Sequence, residues 1–175
     1  SEYCNQLAYD AIQVFGGSGY MKDYPIERIY RDARITNIYE GTSQLQVVAA
    51  IRHVTTGTYL NQIREYEAQT YAADLGHVHQ KLIAMREQYE RAVEKVTAAG
   101  SNEFIDFHAR RMVEMAAHII IGYLLLRQAS EVEEYRVSAQ LYVKNGEAQN
   151  AAAAEYIAQS SPDDLDLITA VRQAE

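Results

Sequence analysis

Two prolines, Pro25 and Pro162, punctuate a chain of 175 residues. Proline interrupts helices and central strands alike, and β-folds built on many turns use it often, so its scarcity leaves long stretches open to helix. The nine glycines, the abundant alanine and the absence of tryptophan point the same way. Periodicity agrees. Leu7, Ala8, Ala11, Ile12 and Phe15 fall at helical spacing ahead of Gly16-Gly17. "GSGYMKDYP" then predicts a loop closed by Pro25, and Ile26, Ile29, Tyr30 and Ala33 mark a second helix. Thr42 or Ser43 is placed to cap a third, with Leu45, Val48, Ala49 and Ile51 as its apolar members.

From about residue 58 the texture changes to long amphipathic runs. One extends to Gly100 and is open to interruption near Gly76; Ser101-Asn102 starts another; a third, over 131–160, has Gly146 as its weak point. "SPDDLDLITAVRQA" joins a serine cap, a proline and an acidic first turn, a strong start for a last helix. With no convincing strand, the expected fold is all-α: an antiparallel helical bundle with short connections, divided into residues 1–57 and 58–175.

Charge excludes several roles. A net charge of −8 disfavours nucleic-acid binding and docking on an anionic membrane. The lone Cys4 rules out an intrachain disulfide and a multi-cysteine metal site, and fits a reducing compartment. No signal peptide is visible in the polar start of the sequence. "MAAHIIIGYLLL" at 115–126 contains a histidine and is too short to span a bilayer; it predicts a core helix, with no transmembrane segment. His77 and His79, two apart on a helix, point to different faces, which argues against a shared metal. His108 and His118 are expected as hydrogen-bonded structural residues. Of the fourteen tyrosines, Tyr59, Tyr66, Tyr71, Tyr89, Tyr123, Tyr135, Tyr142 and Tyr156 are expected to pack between helices or subunits.

Two stretches carry candidate chemistry. "QVFGGSGY", residues 13–20, sets a glycine pair at a helix end, where backbone can approach a ligand closely. A helix cap and tight turn explains it equally well, and no strand precedes it as a dinucleotide fingerprint requires. "YPIERIYRDARITNIYEGTSQLQ", residues 24–46, sets Glu40 between an aromatic and a glycine, just before a new helix. A carboxylate held there can face a cleft as a proton acceptor, with Thr42 to Gln44 meeting a polar ligand at the helix start. Taken alone, a solvated loop carboxylate and a cap describe the same residues.

Together these stretches closely resemble the C-terminal helical domain of the acyl-CoA dehydrogenase family. Three linked motifs carry the likeness over roughly residues 1–57: Q-x-F-G-G-x-G-Y, Y-P-[IV]-E-R-x-x-R-D and Y-E-G-T-S-Q, in order and at family spacing. The resemblance implies an FAD enzyme, a homodimer or homotetramer, that oxidises acyl-CoA to trans-2-enoyl-CoA. In it Glu40 is the base that removes the α-proton, its own N–H meets the thioester oxygen, and Gly41 touches substrate. Thr42, Ser43 and Gln44 match FAD contacts, while Gln13, Gly16 and Gly17 match residues reaching the FAD of a neighbouring subunit.

The resemblance further implies an electron-transfer flavoprotein as redox partner, and upstream helical and β domains that these residues lack. The chain is therefore expected to be part of a longer protein and inactive alone, in the bacterial cytoplasm or a mitochondrial matrix. Residues 58–175 are similar, in position and helical character only, to the extension of the very-long-chain type. The rival expectation is a helical oligomerisation or interaction module that keeps the fold without catalysis.

Overall fold

Helix follows helix along the computed structural model, which describes residues 1–173. Among the described residues there is no strand. The helices are α1 (Glu2–Phe15), α2 (Gly17–Tyr20), α3 (Ile26–Ile35), α4 (Ser43–Thr55), α5 (Thr58–Glu67), α6 (Gly76–Ala98), α7 (Asn102–Glu131), α8 (Arg136–Gln159) and α9 (Asp164–Gln173). The chain forms two units, Ser1–Val47 and Val48 onward, and the division falls inside α4.

In the first unit α1 packs on α3, and α2 on both. The Asn5 amide ties them by donating to the Ala33 carbonyl at 2.7 Å. Its buried apolar residues, Ala8, Ile26, Ala33 and Val47, are mostly small. Much of its large apolar surface faces outward instead: Tyr3, Leu7, Val14 and Tyr20 are each at least 70% exposed.

The second unit holds a full core. α6, α7 and α8 pack pairwise, with α5 against α6 and α7. Leu82, Met85 and Tyr89 of α6 are buried with Met112, Ile119 and Tyr123 of α7, and with Ala139, Val143 and Ile157 of α8. Ser101 caps α7 by accepting from the Phe104 N–H at 3.2 Å. Arg86 forks onto Glu67 with two hydrogen bonds of 3.0 Å, joining α6 to the end of α5. α7, at 30 residues, is by length and composition suited to cross a bilayer. Its buried face, from Phe104 to Ala129, packs within the unit, as the core-helix reading expects.

Several expectations need correction. Within "GSGYMKDYP" the first turn is helical, as α2, because Gly19 lets the chain fold back on α1; a Cβ there would lie 2.7 Å from the Phe15 Cβ. The interruption expected near Gly76 is present: the run breaks over 68–75, and Gly76 opens α6. α8 passes through Gly146 without interruption, since that glycine marks a close approach to His118 and Met85. Leu45 and Val48 are exposed, while Val47, Ile51 and Val54 carry the burial on α4. Tyr135 is 44% exposed, whereas Tyr156, though 45% exposed, packs on α7 as expected, with the Arg111 guanidinium 3.8 Å above its ring. The last helix reaches Gln173; Ala174, included in its expected span, lies outside the described residues.

The histidines divide. His118 Nδ1 lies 2.8 Å from Asn150 Oδ1, a hydrogen-bonded structural residue as expected. His108 is not: it is fully buried with neither ring nitrogen partnered. Phe104 and Phe107 stand edge-on to it at 4.7 and 4.8 Å between ring centres.

Candidate active-site turn

Seven residues, 36–42, join α3 to α4. The Tyr39 N–H still bonds back to the Ile35 carbonyl at 3.0 Å. Glu40 and Gly41 then both take positive φ, 53° and 93°. Gly41 does so freely. Glu40 is the one non-glycine with positive φ among the described residues, a conformation that costs a side-chain-bearing residue about 1–2 kcal/mol. Such strain persists where surrounding structure enforces it, and it clusters at functional sites.

What enforces it here is visible on both sides. The Ser43 N–H donates to the Asn37 carbonyl at 3.3 Å, closing the loop across Glu40. Thr42 caps α4, its hydroxyl accepting from the Leu45 N–H at 3.3 Å. The Gln46 amide reaches back to the Glu40 carbonyl at 3.5 Å and lies so close to Gly41 that a Cβ there would meet it at 2.9 Å. The Glu40 side chain is exposed, and among the described residues no backbone acceptor lies opposite its N–H. One residue thus offers a carboxylate and a free N–H side by side.

Gly41, Thr42 and Ser43 are half-buried around this turn, and Gln44 is exposed. The Ser43 hydroxyl and the Asn37 side-chain oxygen are buried without partners. Sequence reasoning named Ser43 but missed Asn37 and Gln46. The only signal for Gln46 was its place at the end of the stretch 24–46, two residues past the motif.

Gln13 lines a groove of about 940 Å³ in the first unit, together with Tyr9, Tyr20 and Tyr30. Glu40 to Gln44 do not line it. Lys22, Arg31 and Arg34 face the groove against two carboxylates, Glu27 and Asp32; Glu27 is held by Arg31 at 3.1 Å. The lining suits a ligand with aromatic rings and negative charge. Gly16 ends α1 with φ 61° and ψ −146°, a region that only glycine enters readily. Gly17 is different: a Cβ there would meet nothing within 4 Å, so nothing within the unit requires a glycine.

No metal centre emerges from the histidines. His77 Nδ1 lies 3.2 Å from the Asp74 carbonyl oxygen, and His79 stands edge-on to Tyr71 at 5.0 Å. Among the described residues no cluster of three His, Cys, Asp or Glu is placed to hold an ion.

Known proteins place this helical chain in a family. Residues 1–55 match the family model "Acyl-CoA dehydrogenase, C-terminal domain", and residues 55–165 match "Acyl-CoA dehydrogenase C terminal". A solved structure of an acyl-CoA dehydrogenase family protein from Porphyromonas gingivalis is 37% identical with a TM-score of 0.62, over 65% of this chain and 99% of that one. The chain belongs to the acyl-CoA dehydrogenase family. An acyl-CoA dehydrogenase of Bacillus subtilis is 48% identical over 58 residues, which are 33% of this chain and 15% of that protein. The caffeyl-CoA reductase-Etf complex subunit CarC of Acetobacterium woodii is 56% identical over 46 residues, 26% of this chain and 12% of that protein. The chain thus spans less than a sixth of the length of these two relatives.

Proposed function

We propose that these residues are the C-terminal part of a longer FAD-dependent acyl-CoA dehydrogenase in which Glu40 abstracts the α-proton of the substrate. The observation that carries the reading is the left-handed turn at Glu40, a costly conformation for a side-chain-bearing residue that the surrounding hydrogen bonds enforce. In the proposed reaction the Glu40 carboxylate takes the proton α to the thioester carbonyl. Its N–H, which lacks a backbone acceptor, donates to the thioester oxygen as negative charge develops there. Gly41 leaves room beside both groups.

The residues fit the cofactor by their chemistry. Thr42, Ser43 and Gln44 present hydroxyls and an amide at the start of α4, and the buried Ser43 hydroxyl lacks a partner. Gln13, Gly16 and Gly17 would meet the FAD of a neighbouring subunit. The groove at Gln13, which Glu40 to Gln44 do not line, and the open space at Gly17 support that assignment. When bound, FAD supplies a hydride acceptor for the β-carbon. Homo-oligomerisation follows from sharing the cofactor and would also cover the exposed apolar face of Tyr3, Leu7 and Val14.

An electron-transfer flavoprotein is the proposed redox partner, in keeping with the Etf complex named for the Acetobacterium woodii relative. A bacterial cytoplasm is the proposed setting. The chain alone, without the remainder of the flavin and acyl sites, is proposed to be inactive. The test is to purify the full-length protein and mix it anaerobically with acyl-CoA. Bleaching of bound flavin supports the dehydrogenase; a protein that purifies without flavin and cannot be loaded with it overturns the reading.

A further inference from the structure

Gln46 holds one short turn from two sides. Its backbone N–H donates to the Thr42 carbonyl at 3.1 Å, closing the first turn of α4. Its side-chain amide reaches past that turn and donates to the Glu40 carbonyl at 3.5 Å. The two bonds together enclose Gly41 to Leu45, the stretch that carries Thr42, Ser43 and Gln44. Gln46 is exposed, so water competes for its amide, and a long side chain gives up rotamer freedom to stay in this one place.

Gly41 makes such a hold necessary. A glycine takes positive and negative φ about equally well, so the peptide plane between Glu40 and Gly41 is free to turn on its glycine side. Glu40, on the other side, sits in a left-handed conformation that a side chain disfavours, with φ 53°. A donor from α4 that fixes the Glu40 carbonyl fixes this plane, and through it ψ of Glu40 and φ of Gly41. The fit is close: a Cβ on Gly41 would lie 2.9 Å from the Gln46 amide nitrogen and 3.9 Å from the carbon beside it. The bare Cα at 41 therefore has a second use besides its φ of 93°, which is to admit that amide.

We propose that Gln46 is a positioning residue for the α-proton transfer. It ties the turn that bears the base to the first turn of α4, so that the Glu40 carboxylate keeps one place relative to the flavin contacts at Thr42, Ser43 and Gln44. This role rests on Glu40 being the base and adds the group that holds it. A donor at 3.5 Å is long for an N–H···O bond, so its loss is moderate. The chemical step should slow on the order of tenfold, against about a hundredfold or more for loss of the base itself.

Rapid anaerobic mixing of the flavin-loaded, full-length protein with acyl-CoA reads this step. Gln46→Met keeps the length of the side chain and loses the donor. Its flavin content and melting temperature should match wild type, while flavin bleaching at saturating acyl-CoA slows on the order of tenfold and stays sensitive to deuterium at the α-carbon. Gly41→Ala displaces the amide with its added methyl, so Gln46→Ala should slow that variant little further. Bleaching at the wild-type rate in Gln46→Met overturns the tether. So does a loss that merely follows flavin content or melting temperature, and so does full additivity with Gly41→Ala. Glu40→Gln, measured alongside, separates the two readings. If it bleaches at nearly the wild-type rate, the base fails and the tether with it; if it is slow while Gln46→Met is fast, the tether alone fails.

Discussion

Asn150 holds His118 in place from the neighbouring helix: Oδ1 of Asn150 lies 2.8 Å from His118 Nδ1, and its amide donates to the Met115 carbonyl at 3.2 Å. The asparagine is 1% exposed, so both groups it satisfies have little water to turn to. Asn150→Ala should therefore cost about 1–3 kcal/mol for the groups left unpaired. For a chain of this size that lowers the melting temperature by several degrees, on the order of 2–4 °C per kcal/mol. Thermal unfolding of wild type and variant checks it, and an unchanged melting temperature contradicts it.

His108 predicts the reverse. Burial, with the Arg111 guanidinium nearby, pushes its pKa down to about 4, and neither nitrogen has a partner to lose. The folded state keeps this ring neutral where the unfolded chain protonates it, near pH 6.5. His108 therefore leaves stability untouched above that pH, and destabilises the fold progressively as pH falls from about 6.5 to about 4. The loss over this window is on the order of 3 kcal/mol. In His108→Phe that part of the pH dependence should vanish, and stability at neutral pH should hold or rise. Denaturant titrations at several pH values give the comparison.

Two glycines inside helices separate packing from propensity. A Cβ at Gly146 would sit 3.4 Å from the His118 Cβ and 3.5 Å from the Met85 methyl, ordinary contact. Gly146→Ala should then gain up to about 1 kcal/mol of helix propensity. At Gly122 the Cβ would meet Leu82 at 2.5 Å and Val143 at 3.3 Å, both in the core. Overpacking of this kind costs about 1–3 kcal/mol, so Gly122→Ala should be the less stable of the two. Equal stabilities would mean that Leu82 moves aside freely.

The glycine pair after α1 should separate in the same way. Gly16→Ala forces a side chain into a region reserved for glycine, at about 1–3 kcal/mol. Gly17→Ala meets nothing and should leave the fold's stability unchanged, yet lower the FAD content of the full-length protein if that backbone approaches the cofactor. Full flavin occupancy in Gly17→Ala contradicts the assignment.

How much of this could be read from the sequence depends on the range of the interaction. The cap at Thr42, the start of α7 at Ser101 and the end of α1 at Gly16 are local, and each follows from two or three neighbouring residues. The break at 68–75 is not local. It has neither glycine nor proline before Gly76, and is held by the Ser130 hydroxyl accepting from the Ala72 N–H at 3.1 Å, 58 residues away. His108 and His118 look alike as isolated histidines on one helix; what separates them is Asn150, which folding alone brings to His118. At the site, the motif around Glu40 was legible but its strain was not, because a positive φ at a glutamate has no signature of its own.

The most direct test of the proposed chemistry is turnover of the full-length protein carrying Glu40→Gln, measured alongside its FAD content. The amide keeps the shape of the turn and the backbone N–H but cannot accept the proton. Flavin content should stay at the wild-type level while kcat with acyl-CoA falls by about 10² or more. A variant that keeps both its flavin and most of its turnover would contradict the role of Glu40 as the base.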